Sequence, residues 1–212
     1  MTTPRAAAAA GVLFSLLFTT ALILLWISVP EGGKLGSQWT VVGSDHIKLA
    51  ATLMPFAGIA FLWFIGVVRD GFAAVEDKFF SSVFLGAGLL FLAMVFATTS
   101  VGMGLAHSAT HVTDAAARDE VVSFATMLLT ALGRTYALRM AAVFMISLAT
   151  IWLKTGVMPR WLVWTTYATA VTLLVAADTS VWLTLVFPVW VLIVSLMLLA
   201  RSGVIHLPDA IE

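Results

Sequence analysis

The chain has no cysteine, which removes disulfides, thiolate nucleophiles, iron–sulfur clusters and thiolate metal sites together. Charge is equally scarce. Charged residues fill 10% of the 212 positions and apolar residues 61%, against about 25% and about 45–50% in a soluble domain, so a soluble globule is excluded. With 11 basic and 11 acidic side chains the formal net charge is +0, and no basic tail or stripe offers itself to nucleic acid or to an anionic lipid surface. No motif with a committed chemistry stands anywhere in the sequence.

What is present is a series of long uncharged runs. About 18–20 apolar residues suffice to cross a hydrocarbon core of about 30 Å at about 1.5 Å per helical residue. Hydropathy, broken at charge and Gly/Pro clusters, gives six such spans: about 6–29, 47–68, 79–105, 136–153, 161–177 and 180–200, the fourth with an amphipathic lead-in from about Val121. The expected fold is all-α, a polytopic transmembrane bundle forming a single domain over 1–212. The first run is far longer than the 7–15 residues of a signal-peptide core, and Pro30, Glu31, Gly32 and Gly33 follow it rather than a small-residue cleavage site. It reads as a retained first helix. The two longest links, Pro30 to His46 and Ala106 to about Thr135, leave no room for a separate soluble domain.

Orientation follows from Lys and Arg, which favour cytoplasmic loops. With the N-terminus inside, the inner segments carry Arg5, Arg69, Lys78, Lys154, Arg160 and Arg201, and the outer ones Lys34, Lys48 and Arg118. Both termini are therefore expected in the cytoplasm. Tryptophans agree, since they prefer the headgroup level: Trp63, Trp152, Trp161 and Trp164 fall near the inner boundary, Trp26 and Trp182 near the outer one.

Against this apolar background two arginines stand out, Arg134 and Arg139, within "LLTALGRTYALRMAAVFMISLATIWLKTG". Taking Lys154 as the inner edge, Arg139 lies fifteen residues up, about 22 Å, and Arg134 about 30 Å up. Arg134 can snorkel to the headgroups, but Arg139 sits in hydrocarbon, where an arginine costs at least about 2.5–3.5 kcal/mol without a partner or water. Asp178 lies on the antiparallel fifth span, about 25 Å above Trp161 and within a helical turn of Arg139 in height. An Arg139–Asp178 pair, or Asp178 with Arg134, would neutralise both charges. The alternative is that Asp178 occupies a hydrated turn, "AADTSVW", while Arg139 snorkels.

A second group is "HSATHVTD", with His107, His111 and Asp114 at i, i+4 and i+7. On a continuous helix they share one face, the spacing by which two imidazoles chelate a divalent metal, and His46 falls on the same outer side. A plainer account pairs Asp114 with Arg118 at i+4. No H-E-x-x-H frame accompanies these histidines, and none of the four lies mid-membrane as facing haem ligands would.

Pro55 and Pro188 interrupt the second and sixth spans, freeing the carbonyls of Ala51 and Thr184 and predicting kinks. Ser82, Gly86 and Gly88 form a small-residue face, with Gly102 and Gly104 at the end of the same helix, suited to close packing within the chain or between copies. In "RDGFAAVEDKFF", Gly71 after Asp70 suggests a tight turn, and Glu76 and Asp77 suit the N-terminus of the third helix.

The stretches "TGVMPRWLVWTTYATAVTLL" and "LVFPVWVLIVSLMLL", with "EDKFFSSVFLGAGLLFLAM" in the third helix, resemble small integral membrane proteins of actinobacteria. The likeness covers about half of the chain and rests on packing residues. It implies a bacterial plasma membrane and a six-helix bundle, and carries no activity with it. Three functions are therefore weighed: an accessory or assembly subunit binding another membrane protein or lipid, a small-solute transporter gated by Arg139 and Asp178, and a metal-dependent protein built on the outer histidines.

Overall fold

The computed structural model describes residues 3–28, 44–72, 78–111 and 114–201. Among them the chain is helical nearly throughout: α1 (Thr3–Ser28), α2 (Ser44–Phe72), α3 (Lys78–His111), α4 (Ala115–Thr130), a π-helical segment (Ala131–Tyr136), α5 (Ala137–Thr155), α6 (Arg160–Ala176), a 3-10 turn (Val181–Leu185) and α7 (Val186–Arg201). Five stretches are long and apolar enough to cross a membrane: Ala8–Ser28, Ser44–Asp70, Phe79–His107, Ala115–Thr155 and Val181–Ala200. The chain is thus of the multi-pass membrane type. α6, at 17 residues, is only about 26 Å long and is shorter than those five.

The expected link from Ala106 to about Thr135 is instead almost wholly helix. α3 runs on to His111, and α4, the π segment and α5 join into one rod of 41 residues, Ala115–Thr155. The break between them is set by Asp114, whose extended backbone (φ −75, ψ 125) lets its carboxylate accept the Ala116 N–H at 3.3 Å. An N-cap of this kind satisfies one of the donors that a helix start leaves unpaired. At the other end of the bundle the turn expected at Gly71 is absent, and α2 continues to Phe72. A single glycine costs a helix only about 1 kcal/mol, too little to stop one packed along its length. The linker 29–43 and the acidic segment 73–77 lie outside the described residues.

α5 stops at Gly156, whose left-handed backbone (φ 67) allows its N–H to reach the Trp152 carbonyl at 2.9 Å. Only glycine adopts that conformation without strain. Pro159 then opens α6 with its fixed φ of −65, and the chain reverses within a few residues. α6 packs against α5 through a stripe of Leu162, Thr166, Ala170, Leu173 and Ala177, all buried and spaced three or four apart, as one helix face requires.

The remaining packing puts α1 against α2 and α7, and α3 against α2, α4 and α5. At one point α1 and α7 come so close that a Cβ on Gly11 would overlap Ser195 Oγ. Gly88 likewise abuts Ile65 and Phe144, whereas Gly86 faces open space and Ser82 is exposed. The small-residue face of α3 is therefore split between an inward and an outward side.

Five helices converge on a solid aromatic centre. Phe14 of α1, Phe61 of α2, Phe91 of α3, Phe144 of α5 and Phe187 of α7 are all 2% exposed or less. Phe61 sits among them, with ring centroids at 4.6 Å (Phe14), 5.5 Å (Phe91), 5.3 Å (Phe144) and 5.8 Å (Phe187). Trp190 extends the cluster toward Trp152, 6.1 Å away. Trp152, expected in the headgroup belt, is thus a core residue at 1% exposure, because it lies on the face of α5 that packs inward. Trp63, Trp161, Trp164 and Trp182 are exposed, and Trp26 is half-buried.

The two prolines differ. Pro55 lies inside α2, where the α-helical bond to Ala51 is lost. Pro188 is the third residue of α7, just beyond the 3-10 turn, so it stands in a helical first turn, where an amide donor has little to do. The span expected over 180–200 is accordingly two elements, with the change of helix type at Val186.

Candidate functional site: the arginine corner

Most hydroxyl groups of the bundle are absorbed locally: Ser15, Thr20, Thr98, Thr99 and Ser147 each donate to the carbonyl four residues back. Such bonds satisfy a polar group in lipid without joining helices. Three sets of polar contacts among the described residues cross between helices. Trp190 Nε1 donates to Thr166 Oγ1 at 2.9 Å, and Thr150 Oγ1 meets the Tyr167 hydroxyl at 2.7 Å, fastening α6 to α7 and α5. The third set is at the opposite end of α6 and carries charge.

There Asp178, in the turn after α6, is contacted by three side chains of the long rod. Arg139 Nη2 lies 3.3 Å from Oδ2, Thr135 Oγ1 donates to Oδ1, and Arg134 Nη2 donates to the Asp178 backbone carbonyl at 3.1 Å. The structure brings Arg134, Arg139 and Asp178 into one corner, with both arginines engaged at once. Side-chain exposure of 37% for Arg139 and 56% for Asp178 puts the pair at a rim of the bundle, away from the aromatic centre.

The π segment explains how consecutive residues share this corner. In an α-helix successive residues turn by about 100°, so positions 134 and 139 stand about 140° apart. Here Ala137 donates to Leu132, five residues back, and the wider turn carries Arg134 and Thr135 round toward the side of Arg139. Gly133 makes room for it: a Cβ there would meet Thr98 Cγ2 at 3.0 Å and Trp26 Cζ2 at 3.4 Å. Neither Thr135 nor Gly133 stands out in the sequence; a glycine beside two polar residues in an apolar helix is the only trace.

Two hollows are lined by residues close to the corner along the chain, Gly133 in one and Val181 in the other. One, of about 20 Å³, lies beneath Gly133 between Trp26, Thr98, Thr99 and Thr184 and is large enough for one water. The other, of about 130 Å³, is an apolar groove between α1 and the 3-10 turn, bounded by Ile23, Ile27, Trp182 and Leu185. Trp26 and Thr184 belong to both. Two buried N–H groups here have no hydrogen-bond partner, Trp26 Nε1 and Arg134 Nε.

Of the histidine group, the described side chains are those of His107, His46 and Asp114. The face proposed for His107, His111 and Asp114 requires one continuous helix, but α3 ends at His111 and Asp114 is extended, its carboxylate engaged in capping α4. His107 is exposed and its Nδ1–H donates to the Met103 carbonyl at 2.9 Å. His46 is exposed near the start of α2, and the side chain of His111 lies outside the described residues. Among the described residues no three ligating side chains are grouped closely enough to hold a metal ion. Compared with protein-family models, curated proteins and solved structures, the chain matches none.

Proposed function

We propose that this is a six-span plasma-membrane protein with both termini in the cytoplasm, acting without catalysis as an accessory or assembly subunit that binds another membrane protein or lipid. One observation carries this reading: the middle of the bundle is filled by interlocked phenyl rings from five helices. A transporter builds its substrate site near the bilayer midplane from broken helices and polar groups. A protein that works through its outer surface can fill that volume with packing. The Arg139–Asp178 pair, half-exposed at the rim, is then a clasp that holds the α6–α7 turn against the rod. The likeness to actinobacterial membrane proteins supports a bacterial plasma membrane.

Counting α6 as the sixth span rests on its 17 residues, the lower end of the range of about 17–25 for a crossing helix, and on its antiparallel return along α5. Parity makes this testable. Because the native chain has no cysteine, Thr2→Cys and Glu212→Cys variants each carry one thiol. With six spans an impermeant maleimide reaches both only after the cells are opened, while Asp114→Cys is labelled in intact cells. Labelling of only one terminus in intact cells would leave an odd number of crossings and refute the six-span topology.

The functional reading predicts that the protein, extracted in polymer nanodiscs without detergent, carries a second membrane protein or a lipid class enriched over the bulk membrane. It also predicts that proteoliposomes show no solute or ion flux above empty vesicles. Flux that is abolished by Asp178→Asn would overturn it in favour of a gated pathway.

A further inference from the structure

From the corner and the groove beside it we infer that this end of the bundle holds an anionic phospholipid, its phosphate on Arg134 and Arg139 and one acyl chain along the groove of Ile23, Ile27, Trp182 and Leu185. The inference rests on the accessory reading and names one ligand for it.

Three observations point to that occupant. The first is charge. Two guanidinium groups meet at the corner, Arg139 on the Asp178 carboxylate and Arg134 on the Asp178 backbone carbonyl, so one positive charge is left over, a localised excess in a sequence with no basic tail or stripe. The second is unspent hydrogen bonding. Arg134 directs Nη2 to a backbone carbonyl, while its buried Nε–H has no acceptor, although a guanidinium offers five donors matched to phosphate oxygens. A phosphodiester would supply acceptors to the guanidinium's Nη groups without displacing Asp178.

The third is placement. Asp178 precedes Val181, a groove residue, by three positions, which is at most about 10 Å of chain. The headgroup layer on each side of the hydrocarbon is about 5–8 Å deep, so one phospholipid spans from corner to groove. The groove is apolar on its walls, and Ile27 and Trp182 are exposed at 61% and 65%, open toward the acyl-chain region. An indole at this level, as in Trp26 and Trp182, suits the boundary between chain and headgroup. A second protein helix would satisfy the groove but would need an acidic side chain placed at Arg134 as well, and free phosphate would satisfy Arg134 but leave the groove unused. A phospholipid does both.

The test uses the full chain, purified and stripped of lipid in a neutral detergent, with binding of phosphatidylglycerol and of phosphatidylcholine of identical acyl chains read by native mass spectrometry. Wild type is expected to bind phosphatidylglycerol about fivefold more tightly, the ratio for one net charge at the headgroup level. In Arg134→Gln that preference should vanish, while Arg134→Lys, which keeps charge without the fork, should retain only part of it. Ile23→Phe, which fills the groove, should weaken both lipids by a similar factor and leave their ratio intact.

Equal binding of the two lipids by wild type would overturn the inference even if no variant folds. So would displacement of phosphatidylglycerol by an equal concentration of inorganic phosphate, which would mark a free-anion site, or dimerisation lost on Ile23→Phe, which would assign the groove to a second copy. If lipid preference fails while a stoichiometric protein partner is retained in nanodiscs, the accessory function stands and only its lipid ligand falls.

Discussion

Phe61→Ala is expected to cost about 3–5 kcal/mol of stability, the range for removing a buried aromatic ring, measured by steric trapping in bicelles or by unfolding in mixed micelles. Phe61 is fully buried and touches rings from four other helices. In a bilayer, helices gain little from leaving lipid for one another, so close van der Waals contact holds them together. Removing the ring at the point where five helices meet leaves a void that none of them can fill alone. Phe79→Ala supplies the contrast, since that ring is 66% exposed and its loss should fall within about 0.5 kcal/mol of wild type. Similar losses for both variants would mean that the centre is not packed as described.

The second large effect is expected at Asp178. Asp178→Leu removes the acceptor of both Arg139 and Thr135 while leaving the backbone carbonyl to Arg134. An unpartnered arginine in hydrocarbon costs about 2.5–3.5 kcal/mol. The half-exposed position and the reach of the side chain lower that figure, and the expected loss is about 1–3 kcal/mol. Asp178→Asn keeps an oxygen for Thr135 and should lose less. An Asp178→Leu protein as stable as wild type would show that the carboxylate at this position does nothing for the fold.

How the sequence foreshadows this architecture differs from element to element. Uncharged runs reveal crossing segments because hydrocarbon excludes charge along the whole length of a helix. Helical rise is fixed, so counting from Lys154 and Trp161 sets Arg139 and Asp178 at one height; the ion pair lies where two antiparallel helices reach it. What counting along a helix does not contain is rotation. The π segment arises where backbone bonds reach five residues back, as from Ala137 to Leu132, and residues 131–136 show no periodicity that differs from an α-helix. Thr135 and Gly133 were invisible for that reason.

The polar stretch "HSATHVTDAAARDE" reads as a loop because charge and loop coincide in most membrane proteins. Here its alanines continue as helix beyond Asp114, and a helix of 34 residues such as α3, about 51 Å long, projects past any hydrocarbon core. The shared face of His107, His111 and Asp114 depended on that stretch being one helix, and Asp114 is extended. Trp152 shows the converse error of scale. Tryptophan prefers the headgroup level on average, but its position is decided by the face it occupies, and α5 is flanked by α3, α6 and the aromatic centre.

The central claim is that the guanidinium of Arg139 is tolerated in this bundle because the Asp178 carboxylate holds it. A double-mutant cycle of Arg139→Leu, Asp178→Leu and the double variant, read as unfolding free energies in bicelles, isolates that interaction. The pair as described predicts that each single variant is less stable than the double variant would imply by addition, with a coupling energy of about 0.5–3 kcal/mol. Losses that simply add, with coupling near zero, would contradict it.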